Sequence, residues 1–218
     1  MKMIERLKEE TRVLHEEIER ENLANRIMDH SINMKEYKLL LLQNFLAYRS
    51  VENAIFEYLP KMQPEKYLRL EKDLTALEVS FSECSFSSEF RCDNEAEAFG
   101  AAYVVEGSSL GGLLIAKNLK KCSRLNEVDE FYFFDGNKDH LASWKTFKNA
   151  LAAKHFSEVE AQLAVDKAKE TFLFFKKLFQ TRFSLAEKAP AKTPKAAMIV
   201  MILIALLLLL ENKYRLAM

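Results

Sequence analysis

The chain has 218 residues, enough for one domain or for one domain and a tail. It is 49% hydrophobic and 11% aromatic with only five Gly and four Pro, which supplies a core and disfavours a turn-rich β-sandwich. With 32 basic and 32 acidic residues there is no global positive field, so nucleic acid is excluded as the expected partner. Cys84, Cys92 and Cys122 form no Cys-x-x-Cys pair, which points away from a disulfide framework or zinc site and toward a reducing, cytoplasmic compartment. The N-terminus, "MKMIERLKEE", is charged, without the apolar core of a signal peptide.

In chain order, Met3, Ile4, Leu7, Thr11, Leu14 and Ile18 recur at helical spacing and predict a helix over 2–21. "LANRIMD" reads as a turn or a short helix. Asn33 with Glu36 three residues on forms a capping box, predicting a helix from there to Tyr58, before Pro60. Pro64 predicts a helix that starts at its first turn and runs to about Val79. "SFSECSFSSEFRCDN" reads as a loop, after which Asp93 or Asn94 caps a glycine-containing helix. "VDEFYFFDGN" reads as irregular, with a turn at Asp135-Gly136. Asp139 opens the next helix, and Ser157 with Glu160 caps a last long helix reaching about Ser184. Helix after helix with short connections predicts an all-α, single-domain bundle over 1–186.

A Pro/Ala/Lys linker follows at 187–195, then a tail at 196–218 that starts with fifteen uncharged residues, Ala196 to Leu210. As a helix these span about 22 Å, against a hydrocarbon core of about 30 Å. The tail is therefore a candidate membrane anchor if the bilayer thins, with a buried helix, an oligomer contact or a cloning or frameshift tail as alternatives.

Chemistry concentrates in two places. Four of the five glycines (Gly100, Gly107, Gly111 and Gly112) fall between Ala96 and Lys121, with Ser108 and Ser109 among them. Each costs about 0.5–1 kcal/mol relative to Ala in a helix interior, so something must approach this backbone closely. On the first helix, Glu19 lies one turn after His15, where its carboxylate orients one imidazole nitrogen and leaves the other for a metal. On many helices such a pair is only a surface pair. His30, His140 and His155 have no comparable partner, no His-Glu-x-x-His or Walker pattern occurs, and no Gly-x-Ser-x-Gly elbow follows a strand. One axial histidine and one helix bared of side chains suit a flat macrocycle lying between them.

At these residues the chain resembles the haem oxygenases. "ERLKEETRVLHEEIE" is similar to their proximal helix, "YVVEGSSLGG" to the distal helix of the bacterial branch, and "AKETFLFFKKLF" to the late helix that closes the pocket. The likeness covers about Glu5 to Phe183. It implies a haem oxygenase-type bundle with haem sandwiched between two helices, as both substrate and cofactor. His15 then falls on the iron ligand and Glu19 on its hydrogen-bond partner. Gly107, Gly111 and Gly112 fall on the distal glycines that contact haem and leave room for O2. Lys8 falls on a propionate-binding lysine, and Lys148 matches a second basic position less closely. Ser108 stands where mammalian members carry an aspartate that orders water, an aspartate that many bacterial members also lack. The implied reaction cleaves haem to biliverdin, carbon monoxide and ferrous iron. It needs electrons from a ferredoxin, flavodoxin or flavin reductase, since the chain shows no nucleotide motif. Lys117, Lys120, Lys121 and Arg124 are a candidate docking face for an acidic donor, or cations that satisfy a helix C-terminus. Two rivals remain: a non-catalytic haem-binding or haem-transfer protein, and a helical interaction protein whose glycines only permit close packing. Most of the sixteen Phe are expected in the core, with a few at the haem edge.

Overall fold

The computed structural model describes residues 1–80, 89–137, 140–183 and 185. The linker at 187–195, the tail at 196–218, Cys84, Asp139 and Ser184 lie outside the described residues. Eight α-helices are described: α1 (Met3–Glu21), α2 (Asn25–Met28), α3 (Met34–Tyr58), α4 (Lys66–Ala76), α5 (Glu95–Gly107), α6 (Ser109–Leu119), α7 (His140–Ala153) and α8 (Glu158–Gln180). There is no strand among them, in agreement with the all-α expectation.

The helix α5 is the axis of the bundle. It is apolar on every side, as a helix enclosed by neighbours must be. Ala98, Ala101 and Ala102 are fully buried, and α8, α3 and α7 surround it. Gly100 shows why small residues are needed. A Cβ built there would sit 2.0 Å from the Ala164 carbonyl oxygen of α8, so this glycine exists for helix packing. The stretch from Glu95 to Leu119 is long and apolar enough to cross a membrane, but half of its apolar window is buried in the bundle.

Beside α5, α1 and α8 run parallel in one register. Lys169 pairs with Glu10 at 2.6 Å, Lys176 with Glu17 at 2.9 Å, and Gln180 donates to Glu21 at 2.7 Å. All three pairs are 159 residues apart in sequence, which only parallel helices allow.

Both expected capping boxes form, Asn33 with Glu36 and Ser157 with Glu160, and Asn94 caps α5. Three boundaries differ from expectation. Pro64 precedes α4 and is not in its first turn. The start is set instead by the buried Glu52 of α3, whose carboxylate accepts the amides of Glu65, Lys66 and Tyr67 at 3.2, 3.0 and 2.8 Å. These are amides that a helix N-terminus leaves unpaired. The same helix ends at Ala76, and Glu78 just beyond has a positive φ of 56°. At the other end of the chain, α8 stops at Gln180, four residues early. The Gln43 side chain donates there to the Phe179 and Thr181 carbonyls at 2.8 and 3.0 Å.

The expected single glycine helix is two helices, α5 and α6, meeting at Ser108. The backbone remains right-handed there (φ −61°, ψ −24°), and the Gly111 amide donates to the Ser108 carbonyl at 3.2 Å, one residue short of the α pattern. A Gly-Ser pair is a common site for such a bend. On α6, Leu110 and Leu114 are each 54% exposed.

Candidate functional site

Between α1 and the bent α5–α6 helix lies a cavity of about 800 Å³, within the range of small-molecule and cofactor sites. Its lining brings together Lys8, His15 and Glu19 of α1 with Gly107, Ser108, Gly111 and Gly112 opposite. The two sequence features selected independently thus face one space.

On the α1 wall, the His15 ring lies edge-on to Phe172 of α8 at 5.7 Å. Its Nδ1 lies 3.7 Å from Glu19 Oε1, longer than a hydrogen bond, and both side chains are more than half exposed, at 55% and 66%. The carboxylate is thus on the correct side of the ring to accept from Nδ1 once the pair tightens. That leaves Nε2 as the nitrogen for a metal.

On the opposite wall, a Cβ added at Gly111 or Gly112 would meet nothing within 4 Å, and one at Gly107 would touch only the Trp144 ring, at 3.9 Å. None of the three has a positive φ. Neither turn geometry nor helix packing therefore demands glycine here. What the glycines keep clear is the cavity, and this separates them from Gly100. A flat group between His15 and this bare backbone fits the residues present.

The remaining wall is aromatic. Phe133, Phe134, Phe172, Phe175 and Phe179 line the cavity, whereas Phe131 packs on Tyr37 and Phe174 on Phe90. The segment carrying Phe133 is held by the buried Asp73 carboxylate, which accepts the Tyr132 and Phe133 amides at 2.8 Å each. Burial pushes the Asp73 carboxyl up to about 6, against the opposing pull of those two amides. The turn lies at Phe133-Phe134, two residues before the expected Asp135-Gly136, and Gly136 has φ 75° against the α6 residue Ala116.

Lys148 is not among the residues lining the cavity. Its ammonium lies over the Trp144 ring, 5.6 Å from the centroid. His30 has a partner after all, since Nε2 meets Asn118 Oδ1 at 3.0 Å and ties the α2–α3 turn to α6. Lys117, Lys120 and Lys121 are exposed, while Arg124 donates to the Ser31 carbonyl at 3.2 Å. Sequence reasoning missed the polar end of the cavity, where Asn44, Tyr48, Lys66 and Arg69 contribute to the wall. Nothing in their local spacing marks them. They meet only when α3, α4 and α5 pack.

The family model described as Heme oxygenase matches residues 1–181, nearly all of the bundle. The chain belongs to the haem oxygenase family. Its members are enzymes that degrade haem, and this chain is accordingly read as one of them. Among solved structures, it is similar to the NO- and CO-bound haem oxygenase of Neisseria meningitidis. The TM-score is 0.65 at 22% identity, covering 89% of this chain and 98% of that one. It is also similar to the haem oxygenase of Leptospira interrogans, with a TM-score of 0.60 at 17% identity, covering 82% of this chain and 98% of that one. At these identities the likeness is one of fold. None of the curated proteins compared with the chain matches it.

Proposed function

We propose that this haem oxygenase binds haem in the cavity between α1 and α6 and cleaves it to biliverdin, carbon monoxide and ferrous iron. The observation that carries this reading is the opposition of His15 to a helix whose Gly111 and Gly112 have open space where a side chain would project. His15 is the iron ligand, through Nε2, with Glu19 fixing its tautomer through Nδ1. Gly107, Gly111 and Gly112 admit the macrocycle and O2 at close range. Bound haem supplies the redox chemistry, and the chain supplies orientation and exclusion of competing reactions. The aromatic wall from α8 and the 133–134 segment packs the porphyrin edge, leaving that edge dry. Lys8, on the cavity wall, is the propionate contact. Lys148 is placed to meet a second propionate only if it leaves Trp144.

Electrons come from a separate donor, a ferredoxin, flavodoxin or flavin reductase. The exposed Lys117, Lys120 and Lys121 at the end of α6 support an acidic partner docking beside the cavity. In this reading the tail from Ala196 to Leu210 remains a candidate anchor for an otherwise cytoplasmic domain.

The test is product identification. Purified protein loaded with hemin and supplied with O2 and a reducing system should release a bilin of biliverdin mass, carbon monoxide trapped by ferrous myoglobin, and chelatable ferrous iron. A verdohaem-like end point, or intact hemin, would refute the assignment of products.

A further inference from the structure

Ser108 stands where an acidic side chain would order water, and its own hydroxyl is committed. It donates to the Val105 carbonyl at 2.7 Å, as expected for a serine bonding back onto its helix. Such a hydroxyl has only acceptor capacity left for the cavity. The reaction proposed above consumes protons, so another group must present a donor there.

The polar end of the cavity holds one. Lys66 lines the wall, its side chain only 6% exposed, and its ammonium pairs with Glu106 Oε1 at 3.3 Å. Glu106 is the residue just before Gly107, and its side chain is 11% exposed. The other carboxylate oxygen, Oε2, is buried without a hydrogen-bond partner among the described residues. A buried carboxylate oxygen in that state calls for water or another donor beside it. Lys66 is also held from behind, because the Glu52 carboxylate accepts its backbone amide at 3.0 Å and fixes the start of α4. The Tyr48 hydroxyl links this cluster to the bend. It interacts with the Ser108 hydroxyl and lies in the field of Glu52, Glu106 and Arg69.

We infer that Lys66, positioned by Glu106, is the hydrogen-bond donor of the glycine-helix side of the cavity and orders the water that this chain lacks an aspartate to order. A lysine ammonium has three donors. One is used on Glu106, and the others are available to water beside Tyr48 and Ser108. Glu106 does not line the cavity and acts only through Lys66, as a positioning residue. The arrangement moves the acidic residue from after Gly107 to before it and inserts a cation between it and the site.

This inference rests on the haem reading above, and the test separates the two. Lys66→Met leaves Glu106 charged and unpaired, so the double variant Lys66→Met/Glu106→Gln is the main probe. It removes both charges while keeping volume, a change that buried ion pairs tolerate well. Hemin should still give a Soret band with histidine ligation in the double variant, and its apo melting temperature should match wild type or exceed it. The infrared band of the ferrous CO complex should move to higher frequency, because a nearby cation favours back-donation into CO and its loss reverses this. The band should also lose its sensitivity to D2O. Haem cleavage should slow by about 10- to 100-fold, the usual loss when a supporting partner of a metal site is removed. A wild-type CO band and cleavage rate in the double variant would overturn the inference and leave the haem site standing. If the unmodified protein forms no hemin complex, the proposed function fails and this inference with it.

Discussion

Substituting Gly100 and Gly111 separately gives opposite results if these two glycines serve different ends. Gly111→Ala adds a methyl group to a right-handed helical backbone with no atom within 4 Å. The clash term is absent, and the helix gains about 0.5–1 kcal/mol. For a domain of this size one kcal/mol moves the midpoint by about 2–4 °C, so the apo protein should melt about 1–4 °C higher. Gly100→Ala places its methyl 2.0 Å from the Ala164 carbonyl oxygen, so α5 and α8 must separate. Overpacking of that kind costs about 1–3 kcal/mol, and here the obstacle is backbone, which has no rotamer to change. The apo midpoint should fall by at least several degrees. Calorimetry of the two apo variants, paired with hemin titration, reads both effects. Gly111→Ala should be the stable variant that handles haem poorly, with weaker binding or slower bilin formation. Gly100→Ala should be the unstable one whose folded fraction binds haem normally. Loss of apo stability in Gly111→Ala with normal turnover would refute the claim that the cavity, and not packing, selects glycine at that position.

Removing the imidazole in His15→Ala should abolish turnover while keeping the helix, and added imidazole should partly restore it; unchanged spectra would exclude His15 as ligand. Glu19→Ala should leave apo stability within about 0.5 kcal/mol, because both partners are exposed, yet lower the Fe–His stretch in resonance Raman of the ferrous haem complex. Lys8→Ala should weaken hemin affinity by about tenfold, as expected for one lost charge-assisted contact, whereas Lys148→Ala should leave it nearly unchanged because Lys148 lies outside the cavity lining. Asp73, raised by burial to about 6 from an ordinary value of 3.8, binds its proton more tightly folded than unfolded. Its contribution is therefore complete below pH 4 and lost as pH rises through about 6, by about 3 kcal/mol. Asp73→Asn should flatten that part of the stability-versus-pH curve, and an unaltered slope would mean the carboxyl titrates normally.

Much of the bundle was legible because its helix signals are local. Asn33 and Ser157 cap where their spacing to Glu36 and Glu160 says they should, and of the two candidates Asp93 and Asn94 it is Asn94 that caps α5. Two of the three misplaced boundaries share a cause, since each is set by a side chain from another helix. Glu52 fixes the start of α4 and Gln43 holds the end of α8. The bend at Ser108 is local in origin, yet Gly and Ser are also tolerated in straight helices. In the site, His15 and the glycines were legible because each breaks a local rule, one as a polar residue beside an apolar stripe and the others as costly helix residues. Gly100 breaks the same rule for a different reason, and only the position of Ala164 distinguishes it. Tyr48, Lys66, Arg69 and Glu106 come from three helices. In sequence, Lys66 is one cation among 32 Lys and Arg, and only burial beside Glu106 sets it apart.

The central claim is that His15 and the bare glycine helix together make a haem-cleaving site. Adding one equivalent of hemin to the purified protein, and then reductant in air, tests it in a single cuvette. A Soret band should form on mixing, then bleach after reductant is added as a long-wavelength bilin band rises, and His15→Ala should show neither the bleaching nor the bilin. A Soret band that persists through reduction and re-oxidation, or one that never forms, would contradict the account.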